Sequence, residues 1–182
     1  MLATVMKRNE KDPLSIEMLA KIVPKWCRVA FYDSLKKYRS LKDAMQGKKC
    51  LAVLYQIHDK KKTVLNRAGH FILINVANGV VEYFSSSGWD VAKEIAETHS
   101  DPRIFQRLLG KKFIQNKVPL EKVGNSNTCW RFVLARAILF EMKLNEFQKL
   151  FQHTLQLRNP DDICTALTML LVQKGKREQR RA

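Results

Sequence analysis

The stretch "HFILINVANGVVEYFSSSG", residues 70 to 88, decides how this chain folds. Two runs rich in β-branched and aromatic residues flank Asn78 and Gly79. Asn-Gly between such runs predicts a β-hairpin, because both residues accept the positive φ that a tight two-residue turn needs. With that turn, Ala77 faces Val80, Ile72 faces Ser85 and His70 faces Ser87. Side chains alternate faces along a strand. His70, Ser85 and Ser87 therefore share one face, and Ser85 lies diagonal to His70, within side-chain reach. Glu82 pairs with Asn75 and points to the opposite face.

Outward from the hairpin, "KCLAVLYQI" (49–57) is a continuous apolar run of strand length, fitting a buried strand. Before it, "DPLSIEMLAKIVP" (12–24) predicts a short helix capped by Asp12 or Ser15, with Pro24 beyond its end. "VAFYDSLKKYRSLKDAM" (29–45) is ambiguous, with a helix expected from Ser40 to Met45, and "DKKKTVLNRAG" (59–69) is a basic loop. After the hairpin, "DVAKEIAETHSD" and "PRIFQRLL" (90–109) read as exposed helices, and "KKFIQNKVPL" (111–120) holds a short strand. "CWRFVLARAILFEM" (129–142) is apolar on nearly every side, which marks a buried helix. "NEFQKLFQHTLQL" (145–157) follows as an amphipathic helix, with Asn145 and Gln148 spaced as a capping box. Pro160, Asp161 and Asp162 open a last helix, with acids at its positive end. Helix, then strands, then a helical block is an α+β order. Residues 1–173 are expected to form one domain, and 174–182, "KGKREQRRA", a flexible basic tail.

Lysine and arginine number 33 against 17 acids, a formal charge of +16. That excess favours a polyanionic partner, because clustered cations release counterions from phosphate backbones. No apolar run reaches the length of a membrane span, and "MLATVMKRNEKDP" lacks the apolar core of a signal peptide. Cys27, Cys50, Cys129 and Cys164 lie far apart without a C-x-x-C pair, against a disulfide framework or a zinc site. No phosphate-binding glycine motif is present, so nucleotide-dependent chemistry has no support.

The stretch "GNSNTCWRF" (124–132) carries the chemistry. Cys129 falls in the first turn of the buried helix, with Ser126, Asn127 and Thr128 as cap candidates. The unpaired N–H groups and the dipole there favour a thiolate, the form of cysteine that attacks carbonyls. Cys27, Cys50 and Cys164 sit inside apolar patterns and read as core. A nucleophilic thiol needs a base. His58 and His99 sit in charged loops and His153 lies mid-helix, whereas His70 opens the first hairpin strand.

Taken together, "GHFILI", "VEYFSSSG" and "GNSNTCWRFVLARAI" resemble the maturation cysteine proteases of adenoviruses, virophages and polinton-type viruses, relatives of the ubiquitin-like-protein proteases. "SNTC", Arg131 two residues after the cysteine, and "LNEFQKLF" are similar to the virophage and polinton branch. The resemblance spans most of residues 12 to 152. It implies a papain-like, adenain-like fold: a central mixed sheet packed on a buried helix that carries the cysteine, with a helical C-terminal block. It implies Cys129 as nucleophile and His70 as general base. This chain departs from the family pattern at four places. Ser85 stands at the acid position, Trp130 replaces the glycine after the nucleophile, and Phe71 replaces a tryptophan. The oxyanion glutamine falls near Glu121 or Lys122. Ser85 is a candidate third member that orients the imidazole by a hydrogen bond, and Asp90, just beyond, is another. Gln115, Asn125 and Asn127 are candidate oxyanion donors beside the Cys129 N–H.

The leading expectation is an endopeptidase that matures viral capsid precursors, needs no cofactor, and works as a monomer inside the virion, or in the host cytoplasm or virus factory during assembly. Lys60, Lys61, Lys62 and Arg67, then Lys111, Lys112, Lys117 and Lys122, then Lys174, Lys176, Arg177, Arg180 and Arg181 would hold DNA through phosphates. DNA would then activate the enzyme by concentrating it beside its substrates. The alternatives are a catalytically weakened pseudoprotease that binds DNA or capsid, and a basic nucleic-acid-binding α+β domain. No membrane association is expected.

Overall fold

The computed structural model describes residues 14–57, 69–121, 127–152 and 160–179. The hairpin forms as its sequence predicts. Strands β3 (His70–Ala77) and β4 (Val80–Ser85) pair antiparallel, Ala77 opposite Val80 and Ile72 opposite Ser85. Asn78 and Gly79 hold φ of 52° and 75°, the left-handed pair that lets a two-residue turn follow the strand twist. The apolar run upstream is β2 (Cys50–Tyr55), antiparallel to β3. Strand β1 (Cys27–Phe31) lies parallel to β2 along the far edge, and the short β5 (Ile114–Gln115) lies parallel to β4. The result is a five-stranded mixed sheet in the order β1-β2-β3-β4-β5 within an α+β fold.

Both faces of the sheet are covered, because the central strands are apolar at successive positions. Phe71, Leu73, Ala52 and Phe84 turn to one face. There they meet α1 (Ile16–Ile22), α5 (Cys129–Ile138), α6 (Leu144–Gln152) and α7 (Pro160–Gln179). Ile72, Ile74, Val53 and Tyr83 turn to the other. That face is closed by a 3₁₀ turn (Asp33–Lys37), α2 (Leu41–Met45), α3 (Val91–Thr98) and α4 (Arg103–Leu109). Burial of each large side chain in these layers stabilises the fold by about 1.5–3 kcal/mol before entropy is counted.

Several expectations change. Strand β1 lies across the start of the stretch that read as ambiguous. Helix α4, expected to be exposed, buries Ile104, Phe105, Leu108 and Leu109, whose spacing gives it one apolar stripe against the sheet. Helix α3 likewise buries Glu94 and Thr98. Helix α6 begins at Leu144, so Asn145 sits inside its first turn and accepts from the Glu146 N–H at 2.9 Å, and no capping box with Gln148 forms. Ser15 and Ser40 cap α1 and α2, each accepting a backbone N–H at 3.2 Å. Asp12 lies outside the described residues. Helix α7 extends to Gln179 and takes in residues 174–179 of the segment expected as a tail.

Helix α5 is the keystone of the first layer. Phe132, Val133, Leu134, Ala135 and Ala137 are fully buried. Its buried Arg136 reaches through to the sheet and binds Glu82 with two bonds of 2.7 and 2.8 Å. The same guanidinium donates to the Leu139 and Met142 carbonyls, tying the end of α5 to the turn before α6. Glu82 is thus spent on structure and points away from His70, as strand parity requires.

Candidate active site

His70 is the first residue of β3, and Gly69 explains how it gets there. A Cβ on Gly69 would stand 2.0 Å from the Tyr55 carbonyl oxygen, so only glycine lets β3 start this close to β2. His70 follows opposite Tyr55 at the open end of the sheet, with a side chain 19% exposed.

The hydroxyls of the hairpin face surround its Nε2. Ser85 Oγ lies 3.1 Å from Nε2 and 2.7 Å from Ser87 Oγ. Ser85 and Ser87 both donate to Glu94 Oε1, at 2.5 and 3.2 Å. The same carboxylate oxygen stands 3.3 Å from Nε2. Since the serine protons go to Glu94, Nε2 carries a hydrogen and donates toward Ser85 and Glu94. Glu94 is wholly buried, one helical turn beyond Asp90. Asp90 itself is the N-cap of α3, is exposed, and accepts the Lys93 N–H at 2.8 Å. So the carboxylate beside His70 comes from Glu94, not from Asp90, and Ser85 stands between. Sequence reasoning missed Glu94 although a signal was present. Val91, Glu94, Ile95 and Thr98 follow the spacing of one buried helical stripe, with a glutamate inside it.

Asn116 also escaped notice. Its side-chain amide replaces a missing strand partner: Oδ1 accepts the Ser85 N–H at 2.8 Å and Nδ2 donates to the Ser85 carbonyl at 2.6 Å. It fixes the backbone from which the Ser85 hydroxyl projects.

Cys129 is the first residue of α5, partly exposed, and follows Thr128 at the N-cap position. Thr128 does not cap the helix with its hydroxyl, which donates instead to the Asp161 carboxylate at the start of α7. The first intrahelical bonds are made by Arg131 and Phe132 to the Thr128 carbonyl, so the N–H groups of Cys129 and Trp130 have no intrahelical acceptor. Cys129 is near enough to His70 for its hydrogen bond and its charge to act on the imidazole. Burial would lower the His70 pKa, but Glu94, Cys129 and Glu121 together outweigh it and lift it to about 10. The imidazole is therefore protonated at neutral pH. By contrast, burial pushes the Cys27 thiol up to about 12 and the Cys50 and Cys164 thiols higher still, as befits core residues.

Glu121 occupies the region where the resemblance places an oxyanion glutamine. Its Oε1 is 3.6 Å from His70 Nδ1, its side chain is 7% exposed, and its N–H donates to the Ser86 carbonyl at 3.1 Å. Trp130, in the position of the family's glycine, is buried with the Arg131 guanidinium 4.2 Å over its ring. Trp89 stands beside His70, ring centroids 6.5 Å apart, and the Lys93 ammonium lies over the Trp89 ring, 4.5 Å from its centroid.

The remaining sequence candidates are placed as follows. Gln115 is in β5 opposite Tyr83, and Asn127 precedes the N-cap. Lys111, Lys112 and Lys117 are exposed around β5. Asn125, Lys60, Lys61, Lys62, Arg67, Lys122, Arg180 and Arg181 lie outside the described residues, while Lys174, Lys176 and Arg177 fall on the last turns of α7. An open groove of about 500 Å³, lined by Ala77, Asn78, Ile114 and Phe140, is at the opposite end of β3 from His70. Among the described residues no three His, Cys, Asp or Glu are arranged to hold a metal ion, and no helix is long and apolar enough to cross a membrane.

No family model matches the sequence, and no curated protein does. Among solved structures, one described as a de-sumoylating protease aligns over 99% of this chain and 75% of its own, at 12% identity and a TM-score of 0.32. A likeness that distant carries no weight on activity, which rests on the site itself.

Proposed function

We propose that this chain is a cysteine peptidase with Cys129 as nucleophile, His70 as proton shuttle, and Glu94 as the acid that orients and stabilises the imidazolium. The observation that supports it best is a single imidazole set between a helix-start thiol and a buried carboxylate. In this reading the Cys129 thiolate attacks a peptide carbonyl and forms an S–C bond. The oxyanion is met by the N–H groups at the start of α5. His70 then gives its proton to the leaving amine as the C–N bond breaks, and takes one back from the water that hydrolyses the thioester. Glu94 and Ser85 keep Nε2 bonded throughout, so the ring cannot turn away from the thiol.

The substrate class is polypeptide, and the sequence resemblance suggests small residues and glycine around the cut. Viral capsid precursors are the substrates the sequence resemblance suggests, within the virion or during assembly. The basic surface would hold the enzyme on DNA, without sequence preference. The test is mass-spectrometric mapping of iodoacetamide labelling together with cleavage of a glycine-rich peptide. Selective labelling at Cys129 near neutral pH and loss of cleavage in Cys129→Ala are expected. Undiminished cleavage by the purified variant overturns the assignment.

A second reading is a catalytically weakened relative that binds DNA or capsid. What favours it is Glu121, a carboxylate placed at the imidazole nitrogen that the thiol needs.

A further inference from the structure

We propose that Glu121 is a further functional group of this site: when ionised it holds His70 Nδ1, and when neutral it releases that nitrogen to Cys129. This rests on the peptidase reading above and concerns the pH at which the thiol and the imidazole work together.

The geometry is specific. Nε2 is engaged by Ser85 and Glu94, which leaves Nδ1 as the nitrogen open to a thiol. Glu121 Oε1 stands 3.6 Å from it. The loop that carries Glu121 is fixed from below, where the Ser86 carbonyl accepts both the Leu120 and Glu121 N–H groups. Glu121 Oε2 is buried without a close hydrogen-bond partner, and besides His70 only the nearby Ser86 hydroxyl acts on this carboxyl as a donor. It is thus one oxygen in contact with the imidazole and one left over.

The charges around it come from every neighbouring element. His70 on β3 favours the carboxylate, while Glu94 on α3 and Asp161 on α7 oppose it, and Cys164 on α7 senses the Glu121 charge. Burial acts first and raises the Glu121 pKa from the usual 4.5; Asp161 and Glu94 add to the rise, and His70 and Ser86 restrain it. The sign follows. Above its raised pKa, Glu121 is a carboxylate that competes with the thiolate for the imidazolium and repels negative charge growing beside it. Below that pKa it is neutral, and the competition ends. A carboxylate is thereby an off state, and mild acid an on state.

Gln at position 121 copies the neutral form. The experiment measures the rate of Cys129 alkylation by iodoacetamide from acid to neutral pH in the full chain and in Glu121→Gln, with peptide turnover in parallel. The ratio of variant to parent should be near one in acid and rise to at least about tenfold at neutral pH, because the Glu121 charge acts on the thiol from farther away than on the imidazole it touches. Turnover should show the same ratio, and Glu121→Ala, the second variant, should reproduce it. A ratio that stays flat across the range, or a variant slower than the parent at every pH, overturns the proposal. If neither protein cleaves peptide, the peptidase reading fails, yet the alkylation ratio still decides the role of Glu121.

Discussion

Replacing Glu94 with glutamine keeps the shape of the side chain and removes its charge from the neighbourhood of His70. The consequence can be worked from the geometry. Oε1 lies 3.3 Å from Nε2, and Glu94 has no exposed surface. At an effective dielectric constant of about 20, two unit charges at that separation interact by about 5 kcal/mol. That corresponds to about three to four pKa units. Burial pulls the His70 pKa down, and Glu94 is the largest of the groups that raise it to about 10. Glu94→Gln should therefore drop the His70 midpoint by at least about two units, toward neutrality. The assay is an NMR titration of the His70 ring carbons and nitrogens. A midpoint that moves by less than about half a unit would show that Glu94 does not govern the imidazole. Linkage gives a second check. The folded pKa lies above the 6.5 of a free histidine, so this contribution to stability is fully present below pH 6.5 and is lost as pH rises through about 10. In the variant that contribution should be smaller and its loss complete at lower pH, and turnover should fall because the imidazolium is no longer held.

Two further perturbations separate structure from chemistry. Glu82→Gln should leave turnover of the folded protein unchanged, whereas Arg136→Met strands a buried carboxylate and should cost about 3–5 kcal/mol in urea unfolding. A large loss of turnover in Glu82→Gln alone would contradict the division of labour between the two faces of β4. DNA binding, read by fluorescence anisotropy, should weaken steeply with salt, with a slope of log K against log salt beyond about −3.5 if four or more phosphates are neutralised. A flat dependence would assign the +16 charge to solvation alone.

The hairpin was legible because its signals are local. A period of two and an Asn-Gly turn set the register, and the register alone placed Ser85 beside His70 and turned Glu82 away. Cys129 at a helix start was legible from the change of pattern at residue 127. The buried carboxylate beside Nε2 was not, because its position depends on how α3 docks on the sheet. Asp90 looked closer along the chain, but a helix cap spends its carboxylate on its own backbone, and the next turn reaches inward. Strand β1 was obscured by Arg28 in its middle, whose guanidinium is paid out on the Ala44 carbonyl and the Tyr38 hydroxyl rather than on solvent. Asn116 and Glu121 lie in a loop whose course is set by contacts with the end of β4, which no periodicity reports.

These long-range placements leave one imidazole between two carboxyls, Glu94 at Nε2 and Glu121 at Nδ1. Both favour the charged ring, so charge alone does not distinguish them. Their bonding does. Glu94 Oε1 accepts from Ser85 and Ser87 as well as facing Nε2, and two hydroxyls hold it in place whether or not His70 gives up its proton. Each carboxyl keeps its Oε2 buried without a partner, but Glu121 has no such pair of donors on its Oε1. A carboxylate fixed by donors costs little reorganisation during proton transfer, which suits a group that orients the ring. A buried carboxyl without such donors, whose pKa burial raises, is poorly stabilised as an anion, which suits a group that changes state. On the proposed reading, the asymmetry makes Nε2 the permanent anchor of His70 and Nδ1 its working edge, the edge for which Cys129 and Glu121 compete.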